Sequence, residues 1–299
     1  MNEEFQQFLE QEFARNELNR LHENYGGGRI FSTPFIGVSS GDDHLYKKYK
    51  KVVGPEHYTP AELWLADGLP NQEGLASKLR VVSIVCPFVD EIRIVSKTVK
   101  KIPAEIYSVG RNYANPFMLD LLRRIIKYIQ DLGYNATAGM LSENFSIYTR
   151  GRFYSNFSER HAAYAAGLGT FSLHEGFITE VGCNVRFTSF ITDAPFEVTP
   201  RRHEDPYGNC LYYSEGTCRK CEEKCPGGAI TENGHDKNKC FYYGQKVARK
   251  LRDRIGFILK PSSRRINHEL RPGWFPVGCA FCQFDVPCMD KNPTAGKQK

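Results

Sequence analysis

The 299-residue sequence contains no apolar run long enough to cross a bilayer. Its first ten residues, Met1-Asn-Glu-Glu-Phe-Gln-Gln-Phe-Leu-Glu10, are acidic and hold neither a twin arginine nor the hydrophobic stretch of an export signal. These absences argue against a helical membrane protein and predict a cytoplasmic one, with no membrane partner, in a compartment where structural disulfides are rare. Internal repeats and low-complexity tracts are also missing, which argues against a solenoid. Gly26-Gly27-Gly28 has no strand before it and no Gly-Lys-Ser after it, so a flexible turn is expected there and not a phosphate cradle.

With 41% hydrophobic and 13% aromatic residues, the chain can bury one substantial core and carry a small appended module. Charge is divided unevenly. Residues 1–209 hold 23 Lys and Arg against 25 Asp and Glu, while residues 210–299 hold 17 against 9. The excess offsets bound negative charge or faces solvent. Its densest run, Lys246-Val-Ala-Arg-Lys-Leu-Arg-Asp-Arg254, reads first as a solvated helix face and second as a surface for an acidic redox partner or a nucleic-acid backbone.

Eight of the ten cysteines lie beyond Ser189. Cys218-Arg-Lys-Cys221-Glu-Glu-Lys-Cys225-Pro226 lets successive sulfurs turn inward onto one inorganic centre while the cysteine before proline projects toward a second. Cys210 precedes this run, Cys240 follows a hairpin-like segment, and Cys279, Cys282 and Cys288 come near the end. Two four-iron clusters need eight thiolates. Crossed ligation assigns Cys210, Cys218, Cys221 and Cys288 to one [4Fe-4S] cluster and Cys225, Cys240, Cys279 and Cys282 to the other. The spacings Cys210-x7-Cys218 and Cys282-x5-Cys288 are looser than in compact ferredoxins. Structural zinc also uses paired C-x2-C motifs, and one zinc would leave four of the eight thiols without a role. Cys86, in an apolar run, reads as a core residue.

Apolar spacing predicts a helix over residues 3–23, and residues 34–64 read as an aromatic loop, of a composition that often lines pockets. Arg80–Cys86 suits a buried parallel strand, and a second strand is expected near 104–109. Asn115-Pro116 then opens a helix that Gly133 closes, with a strand near 134–138, in β-α-β order. Ser158 to Gly169 reads as a capped helix ending in a glycine turn, Arg186–Asp193 as a strand, and Thr199–His203 as a boundary between domains 1–200 and 201–299.

Ser158-Glu-Arg-His-Ala-Ala-Tyr-Ala-Ala-Gly-Leu-Gly-Thr-Phe171, then Ile178-Thr179, Gly182, Ile191-Thr-Asp193 and the cysteine module, resemble the family of epoxyqueuosine reductase and the corrinoid-dependent reductive dehalogenases over roughly residues 75–290. The resemblance is nearest to short, cytosolic, dehalogenase-like members. It implies an α/β corrinoid-binding-type domain followed by a two-cluster ferredoxin-like domain, with cobalamin held base-off over the glycine-turn region by Asn156, Arg160, Gly167, Leu168, Gly169 and Thr170. Where epoxyqueuosine reductases carry an aspartate that looks like the proton donor, this sequence has Arg152-Phe153-Tyr154. Tyr154 is therefore the expected acid, Arg152 its neighbour, and His161 the alternate.

The expected activity is reductive cleavage of a small-molecule substrate, with single electrons from a ferredoxin or flavodoxin passing through both clusters to cobalamin. Two further readings remain: a two-cluster electron carrier without corrinoid, and a zinc-stabilised RNA-binding module.

Overall fold

The computed structural model describes residues 1–150 and 153–296. Helix α1 (Asn2–Arg15) buries Phe5, Leu9 and Phe13, but the predicted stripe stops there and not at residue 23. Asn16 ends it: its side chain accepts from the Leu18 amide at 2.9 Å and donates to Asp120 at 2.8 Å, offering the backbone a turn in place of another helical bond. Leu21 reaches the core from a loop.

The stretch expected as loop instead forms β1 (Phe35–Ser40), α2 (His44–Val52) and α3 (Pro60–Ala66). Asp43 caps α2, and a reciprocal Thr59–Glu62 capping box with Pro60 in the first turn opens α3. These local signals outweigh the loop-like composition. After α4 (Leu75–Lys78), β2 (Arg80–Pro87) is buried along nearly its whole length, as its apolar sequence predicts, and α5 (Asp90–Thr98) follows.

The strand expected at 104–109 is helical. Helix α6 (Glu105–Asp131) runs straight through Pro116. The proline denies the Asn112 carbonyl its helical partner. Tertiary bonds compensate on the same turns: the Asn112 side chain pairs with both backbone groups of Lys260 at 2.8 and 2.9 Å, Tyr113 donates to the Ile258 carbonyl at 2.9 Å, and Asn115 donates to Ser262 at 2.9 Å. The predicted buried face, Met118, Leu121, Leu122, Ile125 and Ile129, is in the core, with Ile126 at its margin.

The chain continues through β3 (Ala136–Thr137), β4 (Ile147–Tyr148), β5 (Tyr154–Ser155), α7 (Glu159–Ala165), β6 (Thr170–Phe171), β7 (Phe177–Ile178) and β8 (Val185–Thr192). The main sheet has the order β1-β2-β8-β3, and every pairing in it is antiparallel. The expected parallel β-α-β arrangement is therefore corrected: β2 is flanked by β1 and β8, and full burial on both faces suits a central antiparallel strand equally well. The result is a mixed α/β protein with several small sheets.

Residues beyond 200 form α8 (Leu211–Glu215), α9 (Lys220–Glu223), the β9–β10 hairpin (Ile230–Thr231 and Gly234–His235), α10 (Lys237–Ile255) and the strands β11 (Ser262–Ile266) and β12 (Glu269–Trp274). β11 pairs with β4. Val247, Leu251 and Ile255 of α10 join Phe284, Val286 and Met289 in the same core as α1, β2 and α6. The basic run Lys246–Arg254 is thus one side of an amphipathic helix, and its Arg254 pairs with Glu105 at 2.7 Å. Among the described residues, no helix is long and apolar enough to cross a membrane.

Candidate functional site

A cavity of about 1080 Å3 lies between α2, the β4–β5 edge, α7 and the start of α10. That is above the common range for ligand pockets, roughly 300–1,000 Å3. Its wall is strongly aromatic, with Tyr49, Phe145, Phe153, Tyr154, Tyr164, Phe171, Tyr207 and Phe241. Tyr154 stacks on Tyr148 with centroids 5.0 Å apart, and its ring fills the space beside Gly54, where a Cβ would come within 2.3 Å of it. Arg152 lies outside the described residues.

α7 brings Arg160 and His161 to the same cavity as Tyr154. His161 bonds through Nδ1 to the Ser158 hydroxyl at 2.8 Å and packs against Tyr49 and Phe171. Burial, helped by the charge of Arg160, holds its pKa well below the usual imidazole range, so the ring is neutral at pH 7. His57, behind it, is pushed down to about 4 by burial and accepts from the Ser158 amide at 3.2 Å. Arg160 donates to the Glu175 carbonyl, and burial lowers its pKa. Arg160 is an exposed residue on the cavity wall.

The other residues expected around a cofactor are engaged elsewhere. Asn156 is buried and staples the loop before β5, accepting from the Ser146 amide at 2.9 Å and donating to the Asn144 carbonyl at 2.8 Å. Gly167 ends α7 in a Schellman motif: its amide reaches Tyr164 O and the Leu168 amide reaches Ala163 O, both at 3.0 Å, with Gly167 at φ 75°. A Cβ at Gly169 would meet the Ile178 carbonyl at 2.1 Å, Leu168 packs on Gly37 of β1, and Thr170 Oγ1 accepts from the Asn209 amide at 2.8 Å. None of these five is among the residues lining the cavity.

Four of the eight late thiols share one pocket, and the other four form a second group by their mutual influence on one another's charge. Cys210, Cys218, Cys221 and Cys288 line one small pocket with His174. Burial and the neighbouring thiols Cys288, Cys210 and Cys218 push Cys221 up to about 12. Burial, with Cys240 and Cys225, likewise pushes Cys279 up to about 12, and burial with Cys279, Cys240, Cys221 and Cys225 raises Cys282 well above the thiol range. Cys225 Sγ accepts from the Ala229 amide at 3.3 Å. Grouped thiols of this kind are deprotonated when they ligate a metal. Cys240 also lines the large cavity, so the second group reaches its wall.

Sequence reasoning passed over several of these neighbours. Cys183 is buried 4.0 Å from Cys288 Sγ, and His174 Nε2 is 3.9 Å from the same sulfur. The contact between the two sulfurs raises the pKa of Cys183 and lowers that of Cys288. Glu175 binds His235 and Lys237 at 3.4 Å each at the cavity edge. The carboxyl of Glu159, at the start of α7, accepts from Ser189 at 2.6 Å, its other, buried oxygen has no partner among the described residues, and burial raises it to about 8. None of these residues lies in a recognisable spacing, so only the tertiary contacts reveal them.

A mixed α/β chain with two thiol groups, one of them opening on a large aromatic cavity, defines the class. No family model and no curated protein matches the sequence. Among solved structures, the chain is similar to epoxyqueuosine reductase from Streptococcus thermophilus (TM-score 0.45, 15% identity, 91% of this chain and 67% of that one). It is also similar to the Bacillus subtilis enzyme (0.41, 18%, 87% and 65%) and to the catabolic reductive dehalogenase NpRdhA (0.43, 20%, 70% and 27%). The chain spans about 65% of the length of the first epoxyqueuosine reductases it matches.

Proposed function

We propose that this protein is an iron–sulfur oxidoreductase that uses two [4Fe-4S] clusters and a cobalamin to cleave a small-molecule substrate reductively. The observation that supports the reading is the one pocket lined by Cys210, Cys218, Cys221 and Cys288, with Cys240 on the wall of the large cavity. Cys210, Cys218, Cys221 and Cys288 would hold the outer cluster, and Cys225, Cys240, Cys279 and Cys282 the inner one. The donor set fits iron–sulfur ligation, and the size and aromatic wall of the cavity fit a corrin. When bound, the clusters supply single electrons and the corrin supplies the bond-breaking chemistry.

The chain's own share is to bind, orient and protonate. The aromatic wall excludes water. Tyr154, held in place by Tyr148 and by the space at Gly54, carries a phenol proton at the cavity wall and is the proposed acid for the product. His161, neutral and fixed by Ser158, offers a hydrogen bond without a charge.

Anaerobic reconstitution with iron, sulfide and hydroxocobalamin tests this reading. About eight irons per chain and a base-off cobalamin spectrum that survives desalting are expected. Eight irons without retained cobalamin would leave an electron carrier, and zinc in place of iron would overturn the reading altogether. With a substrate in hand, Tyr154→Phe should lower turnover by about 10²-fold or more, and full activity would remove Tyr154 from the mechanism.

A further inference from the structure

The turn between β6 and β7 carries a histidine that the proposed mechanism does not use. Ser172 closes this turn, its amide and its hydroxyl both donating to the Gly176 carbonyl, at 3.0 and 2.8 Å, while Glu175 takes the left-handed conformation at φ 54°. His174 is buried within it. The Gly176 amide donates to His174 Nδ1 at 3.1 Å, and a Cβ at Gly176 would come within 2.3 Å of the ring, so only glycine lets the imidazole lie there. A ring nitrogen that accepts a hydrogen bond carries no proton, which puts the imidazole N–H on Nε2. Nε2 faces Cys288 Sγ at 3.9 Å, in the pocket that Cys288 shares with Cys210, Cys218 and Cys221.

A separate segment holds Cys288 in place. The Cys183 amide donates to the Cys288 carbonyl at 2.9 Å and the Asn184 amide to the Met289 carbonyl at 3.3 Å. Gly182 permits this approach, because a Cβ there would come 2.4 Å from the Met289 carbonyl oxygen. One ligand atom each from His174, Cys183 and Cys288 lies within 4.8 Å of the others, which is also the spacing of a small metal site. Neither ring nitrogen of His174 is free for that role: Nδ1 accepts from Gly176 and Nε2 carries the proton. What remains is a fixed N–H aimed at a sulfur.

We propose that His174 is a positioning residue for the outer thiol group, donating its Nε2–H to the Cys288 sulfur so that the cluster ligated there is easier to reduce. This rests on the reading of Cys210, Cys218, Cys221 and Cys288 as the ligands of a [4Fe-4S] cluster. Each electron taken from a ferredoxin- or flavodoxin-type donor adds one negative charge to the cluster and its sulfurs. A hydrogen bond to sulfur therefore stabilises the reduced form more than the oxidised one and raises the potential. The proton stays on Nε2.

The test is a redox titration of the iron-loaded full-length protein, followed by electron paramagnetic resonance. His174→Phe keeps a ring and removes the N–H. It should retain about eight irons and lower the midpoint potential of one cluster by about 59 mV, about tenfold in a one-electron equilibrium, with the other cluster shifted less than about threefold. His174→Gln returns an N–H and should stay within about threefold of wild type at both clusters. A second measurement leaves residue 174 unchanged. With the histidine nitrogens isotopically labelled, pulsed resonance of the reduced protein should show a weak coupling, from a nitrogen beyond the sulfur. That coupling should persist in His235→Gln, which removes the imidazole beside Cys240.

Shifts under about threefold at both clusters of His174→Phe, equal shifts of the two clusters, or an equal loss in His174→Gln overturn the proposal. So does the strong coupling of an iron-bound imidazole, or no histidine coupling at all. Any of these in protein that holds about eight irons leaves the iron–sulfur reading standing. Wild-type protein that takes up no iron removes both. The expected shifts in protein that retains no cobalamin would uphold the role of His174 while the corrinoid reading falls.

Discussion

Glu159 shows how a single buried group sets a pH dependence. Burial raises its carboxyl from 4.5 to about 8, so its neutral form belongs to the folded state. The stability tied to it is full below the ordinary carboxylate range and is lost as pH rises through about 8. Glu159→Gln mimics the protonated form and should melt near wild type at pH 5 but higher at pH 8; parallel melting curves at both pH values would refute the assignment. Gly54 makes a steric prediction. A methyl group there collides with the Tyr154 ring, so Gly54→Ala should cost about 1–3 kcal/mol in denaturant unfolding and weaken whatever ligand the cavity holds. Neither effect is legible in the sequence, where Glu159 sits in an ordinary helix start and Gly54 in a loop-like run.

At the scale of elements, the sequence specifies the structure where the signal is local. The glycine turn after Ser158-Glu-Arg-His is a Schellman motif, β8 falls where its apolar run lies, and Gly133 follows the end of α6 at φ 86°. It was misread where a distant segment decides. Pro116 is a helix-start signal by itself, yet α6 continues through it because Asn112, Tyr113 and Asn115 bond to residues 258–262. Asn112→Ala should therefore destabilise the protein by about 1–3 kcal/mol, well beyond the propensity change for one helical residue, and equilibrium unfolding measures it. A value under about 0.5 kcal/mol would mean that α6 needs no such support. The orientation of β2 is a similar case, since an apolar run specifies burial and leaves open whether its neighbours run parallel or antiparallel.

Over the whole molecule, the core is continuous across residue 200: α10 and residues 284–289 pack with α1, β2 and α6. The two stretches should unfold in a single calorimetric transition, and a fragment ending at residue 200 should aggregate because it exposes the face that α10 covers. Two resolved transitions would show independent folding. The thiol groups give a second global prediction. Cys240→Ser, at the junction of the inner group and the cavity, should lower iron from about eight to about four per chain while leaving the outer group's cluster, read by iron analysis and electron paramagnetic resonance. The sequence by itself determined that eight of the ten thiols lie beyond Ser189 in closely spaced motifs, because spacing along a short loop is a local property. It also determined the burial of the main strands, because side-chain polarity is written residue by residue. Only the tertiary structure decided which thiol reaches the cavity and which carboxyl is kept neutral, because those depend on distances between segments far apart in the chain and on the water that their packing excludes.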